Sequence, residues 1–282
     1  MKQLIVTADD FGLATEVNDA VEKAHTDGIL SAASLMVGAS ASADAVSCAR
    51  RMPDLRVGLH LTLVEGRPVL PAAEIPDLVD KTGRLRNDLA AYGVAIMAMP
   101  SVRRQLRAEI RAQFEAYRAT GLTLDHVNAH RHYHLHPTVL SEILAIGVDY
   151  GMRALRVPVE PMSLLRAVEP KRRGPAAMIA APWAARMLRR VKMSGLVTTD
   201  RVFGLAWSGA MTEGRVAGLL ERLPLGRTEI YTHPATSGDY EGAARGYRYN
   251  DEFAALMSRR CREAMQRSGA VVGGYGDLKD VG

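Results

Sequence analysis

Residues 126–137 read HVNAHRHYHLHP, a stretch that holds five of the chain's eight histidines. Neutral imidazoles bind divalent cations and imidazolium moves protons, so this density points to metal or acid–base chemistry. Extended backbone would place His126, Asn128, His130, His132, His134 and His136 on one face. Helical backbone would instead pair His130 with His134 and His132 with His136. Pro137 and the apolar LTLDHVN run favour extended structure through much of the stretch. A stripe of imidazoles is too polar for a dry core, and loops at strand ends carry function disproportionately.

The same polar pattern recurs at other expected strand ends: Asp9-Asp10 after QLIVTA, His60 in GLHL and His233 in THP. Each alone has an ordinary explanation. Asp9-Asp10 would serve as a turn or helix cap. Adjacent residues of a continuing strand point in opposite directions, so one aspartate could ligate a metal while the other reaches a bound water. His60 alone reads as a satisfied core histidine, with Gly58 allowing close backbone approach. Together they supply one carboxylate and two neutral imidazoles, a three-ligand set with open positions that suits Zn²⁺ or a similar Lewis-acidic ion.

Parallel strands with intervening helices would bring these ends together. QLIVTA (3–8), SAASLMVG (31–38), LRVGLHLTL (55–63), LTLDHVN (122–128), ALRVP (154–158), TEIYTHP (228–234) and AVVGGYG (270–276) read as strands. Helices are expected over 15–27, through ASADAVSCARRM, over 101–119 with Gly121 as the stop signal, and from Pro137 onward. Strand–helix alternation predicts an α/β fold, as a barrel or an open sheet, with active groups at the C-terminal strand ends. The 282 residues fit a single domain covering 1–282, with a basic apolar insertion around 161–200.

Composition narrows the function classes. A hydrophobic content of 48% describes an ordinary globular chain that buries a full core. Cys48 and Cys261 are far apart and lack CxxC spacing, which argues against a disulfide framework and a thiolate metal cluster. The opening MKQLIVTADDFG reaches acidic residues too soon for a signal peptide or a membrane span, so a cytoplasmic location is expected. The net charge of +5 sits largely in KRR at 171–173 and RMLRRVK at 186–192 without interleaved aromatics, so nucleic acid is not the expected partner.

TADDFG, GLHL, the HxNxHxHxHxHP run and THP occur in the order, and over the extent, that resemble the YdjC family of carbohydrate deacetylases. That resemblance implies a distorted (β/α) barrel and one divalent ion, Zn or Mg, held by Asp10, His60 and His130, with Asp9 as catalytic base. Asn128 stands where the family often has aspartate. On this reading His233 protonates the departing amine, Arg156 keeps Asp9 ionised, and His132 and His134 contact the sugar or support the metal. His126 and His136 are expected to be structural. FGLAWSGAM (203–211) with EIYTHPAT is most similar to a branch associated with hopanoid biosynthesis, which implies an N-acetylglucosaminyl hopanoid substrate.

The segment AAMIAAPWAARMLRRVKMSGL (176–196) combines apolar side chains with basic ones. If helical, it could lie on an anionic bilayer at the inner face of the cytoplasmic membrane or cover a greasy substrate, with Pro182 breaking or beginning it. An ordinary barrel-packed helix with a solvated basic face is the competing account. A soluble chitooligosaccharide substrate, a non-catalytic glycolipid-binding barrel and a homodimer complete the expectations.

Overall fold

The computed structural model describes residues 1–170 and 175–279, with the side chains of 175–181 outside that description, as is the KRR run at 171–173. The first half comprises β1 (Lys2–Phe11), α1 (Thr15–Thr26), β2 (Ala32–Leu35), α2 (Ser42–Arg51), β3 (Arg56–Leu61), α3 (Leu89–Ala98), α4 (Pro100–Ala119), β4 (Val127–Ala129) and α5 (Pro137–Gly147). The second half comprises α6 (Met162–Val168), α7 (Pro175–Met193), β5 (Arg201–Phe203), α8 (Glu213–Glu221), β6 (Gly226–Thr232), α9 (Tyr249–Met257), α10 (Arg259–Ser268) and β7 (Val271–Val272).

Nine of the ten residues of β1 are buried, as expected for a central strand covered on both faces. Among the described residues the named strands all pair in parallel, in the order β4-β3-β2-β1-β6-β5, with β7 joined to β1 at Gln3 and Leu4 before β2 takes over at Thr7. Beyond β4 the sheet curls on through single bridges, Val127 to Leu155 and Ala154 to Val197. Val202 N–H then donates to Val159 O at 2.8 Å, which brings β5 against the other side of the 154–159 segment. The expected barrel is therefore a curled parallel sheet in which ALRVP contributes isolated bridges rather than a full strand.

Helix α4 shows how local pattern fixes the outer layer. Val102, Leu106, Ile110, Phe114 and Tyr117 recur at helical spacing and are buried. Glu109 and Gln113 are buried on the same helix: Glu109 accepts the Val69 and Leu70 N–H groups, while Gln113 accepts from Thr62 N–H and donates to Thr62 O. These bonds tie down the 62–70 loop, which carries Glu65. In the expected insertion, α7 runs through Pro182 rather than stopping at it.

Candidate metal centre and catalytic cleft

The acidic pair sits where β1 stops being regular. The β1–β2 register shifts between Ala8 and Phe11, and Asp10 has a left-handed φ of 64°. The two aspartates are consequently not placed by simple strand alternation: Asp9 faces Arg156 and Asn128, whereas Asp10 faces His60 and His130. Beyond β4 the expected extended stripe of histidines also fails. The chain enters a 3-10 segment (His130–Leu135) in which Arg131 (φ 56°) and His132 (φ 51°) are left-handed, so successive imidazoles fan into different surroundings. Asp10, Glu65, Arg131 and His132 are the non-glycine residues with positive φ among the described residues, and all of them line one cavity. Such strain persists only where surrounding contacts hold it, and it gathers at functional sites.

Asp10 (6% exposed), His60 (2%) and His130 bring one ligand atom each within 4.8 Å of one another. Asp10 Oδ1 lies 3.0 Å from His130 Nδ1 and 3.2 Å from His60 Nε2. His60 faces Asn128 because the β3–β4 register pairs them, and its Nδ1 is 2.6 Å from Asn128 Oδ1. Asn128 turns its amide nitrogen to Asp9 Oδ1 (3.2 Å) and Ser34 Oγ (2.9 Å). Its oxygen is thus the atom presented to His60, which must donate from Nδ1. With the Nδ1 hydrogen committed to Asn128, the buried Nε2 points at an Asp10 oxygen 3.2 Å away and has no hydrogen-bond partner, which is the arrangement of a ring nitrogen left free to bind a cation. Two acceptor atoms facing each other at the floor of a cleft fit a cation between them, and the Asp-His-His donor set suits a divalent ion.

Charge balance agrees. Arg156, 0% exposed, donates through Nη1 to Asp9 Oδ2 at 2.5 Å and through Nε and Nη2 to Glu229 at 3.0 and 2.6 Å. Glu229 also accepts from Thr7 Oγ1 (2.7 Å) and Tyr275 OH (2.6 Å). Against the one guanidinium stand the carboxylates of Asp9, Asp10 and Glu229, a surplus of formal negative charge that favours a cation beside them. Burial alone would raise the Asp9 carboxyl, but the neighbouring cationic and imidazole groups, Arg156 foremost, together outweigh it and hold the group well below the usual carboxylate range. Burial likewise opposes Asp10, yet the neighbouring imidazoles, His130 foremost, keep it low, and Asp10 in turn raises His130 against its own burial.

A cavity of about 1050 Å³ opens over these groups, lined by Asp9, Asp10, His60, His130, His132 and His233. His132 Nε2 meets Tyr231 OH at 3.0 Å, and burial, with His134 and Arg156 nearby, keeps its ring neutral. The His233 N–H donates to the buried Glu252 carboxylate, whose oxygen lies 3.8 Å from His233 Nδ1. Burial raises Glu252 against the pull of His233. His134 does not line the cavity: it is wholly buried, its Nε2 is 3.0 Å from Arg156 O, and burial pushes it down to about 3. Arg156 also lies behind the cavity lining, reaching it only through Asp9 and the face of Tyr231. His136 meets Gly93 O at 3.2 Å, and the His126 ring is fully buried beside Asp125.

Leu135, Met162, Ala184, Leu188, Leu205 and Ala206 give the same cavity an apolar wall. Two of these come from α7 and two from the FGLAW loop, which Glu160 seats by accepting the Gly204, Leu205 and Ala206 N–H groups at 3.0, 3.1 and 2.9 Å. Glu229, Glu252, Ser34 and Tyr231 were not singled out by pattern. For Glu229 a signal existed, since a carboxylate in the middle of the apolar TEIYT strand needs a partner. Glu252, inside the ordinary helical sequence YNDEFAALM, offered none.

Comparison with known proteins places this geometry. A carbohydrate deacetylase of Geobacillus stearothermophilus is 30% identical over 232 residues, covering 82% of this chain and 78% of that protein. One of Brevibacillus brevis is 38% identical over 157 residues, but the match spans just 56% of this chain and 58% of that protein. A solved Enterococcus faecalis V583 structure, whose name proposes cellobiose-phosphate cleavage, superimposes with a TM-score of 0.76 at 24% identity over 97% of each chain, a likeness of fold. The family model described as YdjC-like protein matches residues 3–267, and the chain belongs to that family.

Proposed function

We propose that this chain is a metal-dependent carbohydrate deacetylase that removes acetate from an N-acetylglucosaminyl group. The observation that carries the reading is the buried His60 Nε2 lone pair facing Asp10 and His130 beside an ionised Asp9. The carbohydrate deacetylases of Geobacillus and Brevibacillus support it from sequence. A divalent ion held by Asp10, His60 and His130 would supply Lewis acidity, polarising the acetyl oxygen and lowering the pKa of water.

The chain's own groups divide the proton work. Asp9, fixed by Arg156 and Asn128, is the base that takes a proton from water. His233 lines the cavity, backed by Glu252, and is placed to protonate the leaving amine. His132, kept neutral by burial beside His134 and Arg156 and hydrogen-bonded to Tyr231, offers sugar contact rather than charge. His134 supports the Arg156 backbone from behind.

The substrate is lipid-linked in this reading, an N-acetylglucosaminyl hopanoid being the case the sequence suggests. The apolar wall from α6, α7 and the FGLAW loop supports it. Helix α7 also exposes Trp183 and Met193 near Arg186, Arg189 and Lys192, a composition suited to an anionic membrane surface. No helix among the described residues is long and apolar enough to cross a membrane.

The test is acetate release from N-acetylglucosaminyl hopanoid and from N,N′-diacetylchitobiose by the metal-loaded protein and its Asp9→Asn variant. The reading expects release from the hopanoid, with a loss of roughly 10²- to 10⁴-fold in the variant. Release from chitobiose alone would support a soluble chitooligosaccharide substrate. A metal-loaded protein that released acetate from neither would sink the deacetylase assignment and leave a glycolipid-binding barrel.

A further inference from the structure

Behind His60 a chain of hydrogen bonds leads away from the cavity. Asn128 Nδ2 donates to Ser34 Oγ at 2.9 Å, Ser34 Oγ lies 3.0 Å from His126 Nε2, and His126 Nδ1 lies 2.9 Å from Asp125 Oδ2. Asp125 also accepts the Tyr275 and Gly276 N–H groups at 3.0 and 2.9 Å. Ser34, His126 and Asn128 are all completely buried, so each hydrogen must find an acceptor within the chain.

One assignment satisfies every member. Asp9 accepts from Arg156 through Oδ2 and faces Asn128 with Oδ1, so Asn128 presents its NH₂ to Asp9 and Ser34 and its oxygen to His60. Ser34 then accepts from Asn128 and spends its own hydrogen on His126 Nε2, which leaves His126 Nδ1–H for Asp125. The polarity set at Asp9 runs unbroken in one direction, from His60 to Asp125.

Sequence explains how the path exists. Ser34 pairs in register with Gly58, and a Cβ at Gly58 would stand 2.5 Å from both the Cε1 and the carbonyl oxygen of His126. Glycine leaves the gap through which side chains of β2 and of the residue preceding β4 meet across β3. His126 is clamped from its other side by stacking on Tyr275, with ring centroids 4.9 Å apart.

We propose that Ser34, His126 and Asp125 are positioning residues that act through Asn128 to hold His60 with its Nε2 lone pair toward the cation site, and so set the affinity of that site. The proposal rests on the metal-site reading above, but not on the identity of the substrate. Removing a partner that orients a metal-ligating histidine costs roughly 10- to 100-fold in affinity, and Ser34, one bond further out, is expected to cost about 3- to 10-fold.

Two measurements on the full chain test it. In the metal-free protein, long-range ¹H–¹⁵N imidazole spectra are expected to show His60 and His126 both as Nδ1–H tautomers; His126 as the Nε2–H tautomer would overturn the relay, and no variant is needed to see it. Co²⁺ titration followed by visible absorption is expected to give a Kd about 3- to 10-fold weaker in Ser34→Ala, with the circular dichroism unchanged. An unchanged Kd in that folded variant overturns the coupling. A wild-type chain that bound no Co²⁺ would overturn the metal reading and this inference together, whereas binding without acetate release would sink the deacetylase assignment alone.

Discussion

Arg156 donates to Asp9 at 2.5 Å while its other two nitrogens hold Glu229, so one fully buried guanidinium serves both the proposed base and a carboxylate that never reaches the cavity. Its removal would strand two buried charges. Arg156→Met is expected to destabilise the fold by about 3–5 kcal/mol, measured by urea unfolding. Arg156→Lys keeps a charge but cannot reproduce the fork, and should fall between the two.

Loss of any member of the trio should empty the cation site. The wild-type chain is expected to bind one divalent ion, counted by elemental analysis after dialysis, and Asp10→Asn or His130→Ala to bind almost none. Chelation should stop acetate release, and added ion should restore it to the wild type but not to the variants.

The α7 wall gives a prediction about substrate range. Leu188 lines the cavity, and Leu188→Asp would put a charge against whatever apolar group lies there. Losing one buried apolar contact is worth roughly 1.5–3 kcal/mol, so kcat/KM for a lipid-linked substrate should fall at least tenfold. Activity on chitobiose should change less than about twofold. Equal losses on both substrates would remove the case for a lipid-contacting wall.

Acid should unfold the chain partly through Asp125. Burial would raise this carboxyl, but His126 and the Gly276 and Tyr275 N–H groups bring it below the ordinary value of 3.8. A carboxyl depressed in the folded state stabilises the chain above its unfolded pKa, and that contribution is lost as pH falls through the folded value. Asp125→Asn is therefore expected to be less stable near neutral pH and to lose less on acidification than the wild type, as urea midpoints from pH 7 to pH 3 would show.

The sequence was most legible where local pattern and tertiary role coincide. Asp10, His60, His130 and His233 lie at or just beyond the ends of apolar runs, and parallel strands bring such ends together whatever the details of closure. The histidine-rich stretch was misread in its geometry. Period two predicts one face, but left-handed residues at 131 and 132 scatter the rings, and nothing in RH announces that conformation, which tertiary contacts impose. The partner of Asn128 could not be read from spacing either: it is the β3–β4 register that gives it to His60. Ser34 and Asp125 became meaningful only through register and burial, since a serine and an aspartate near strand ends are otherwise unremarked.

The segment around Tyr275 closes a circuit. Its backbone N–H grips Asp125 and its hydroxyl grips Glu229, so the two polar routes toward the cleft, one ending at His60 and the other at Asp9, share a single anchor. A transient opening of Gly274–Asp277 would slacken both at once. Hydrogen exchange at these amides thus becomes a gauge of how firmly the cleft is set, readable in a part of the molecule that touches neither ion nor sugar.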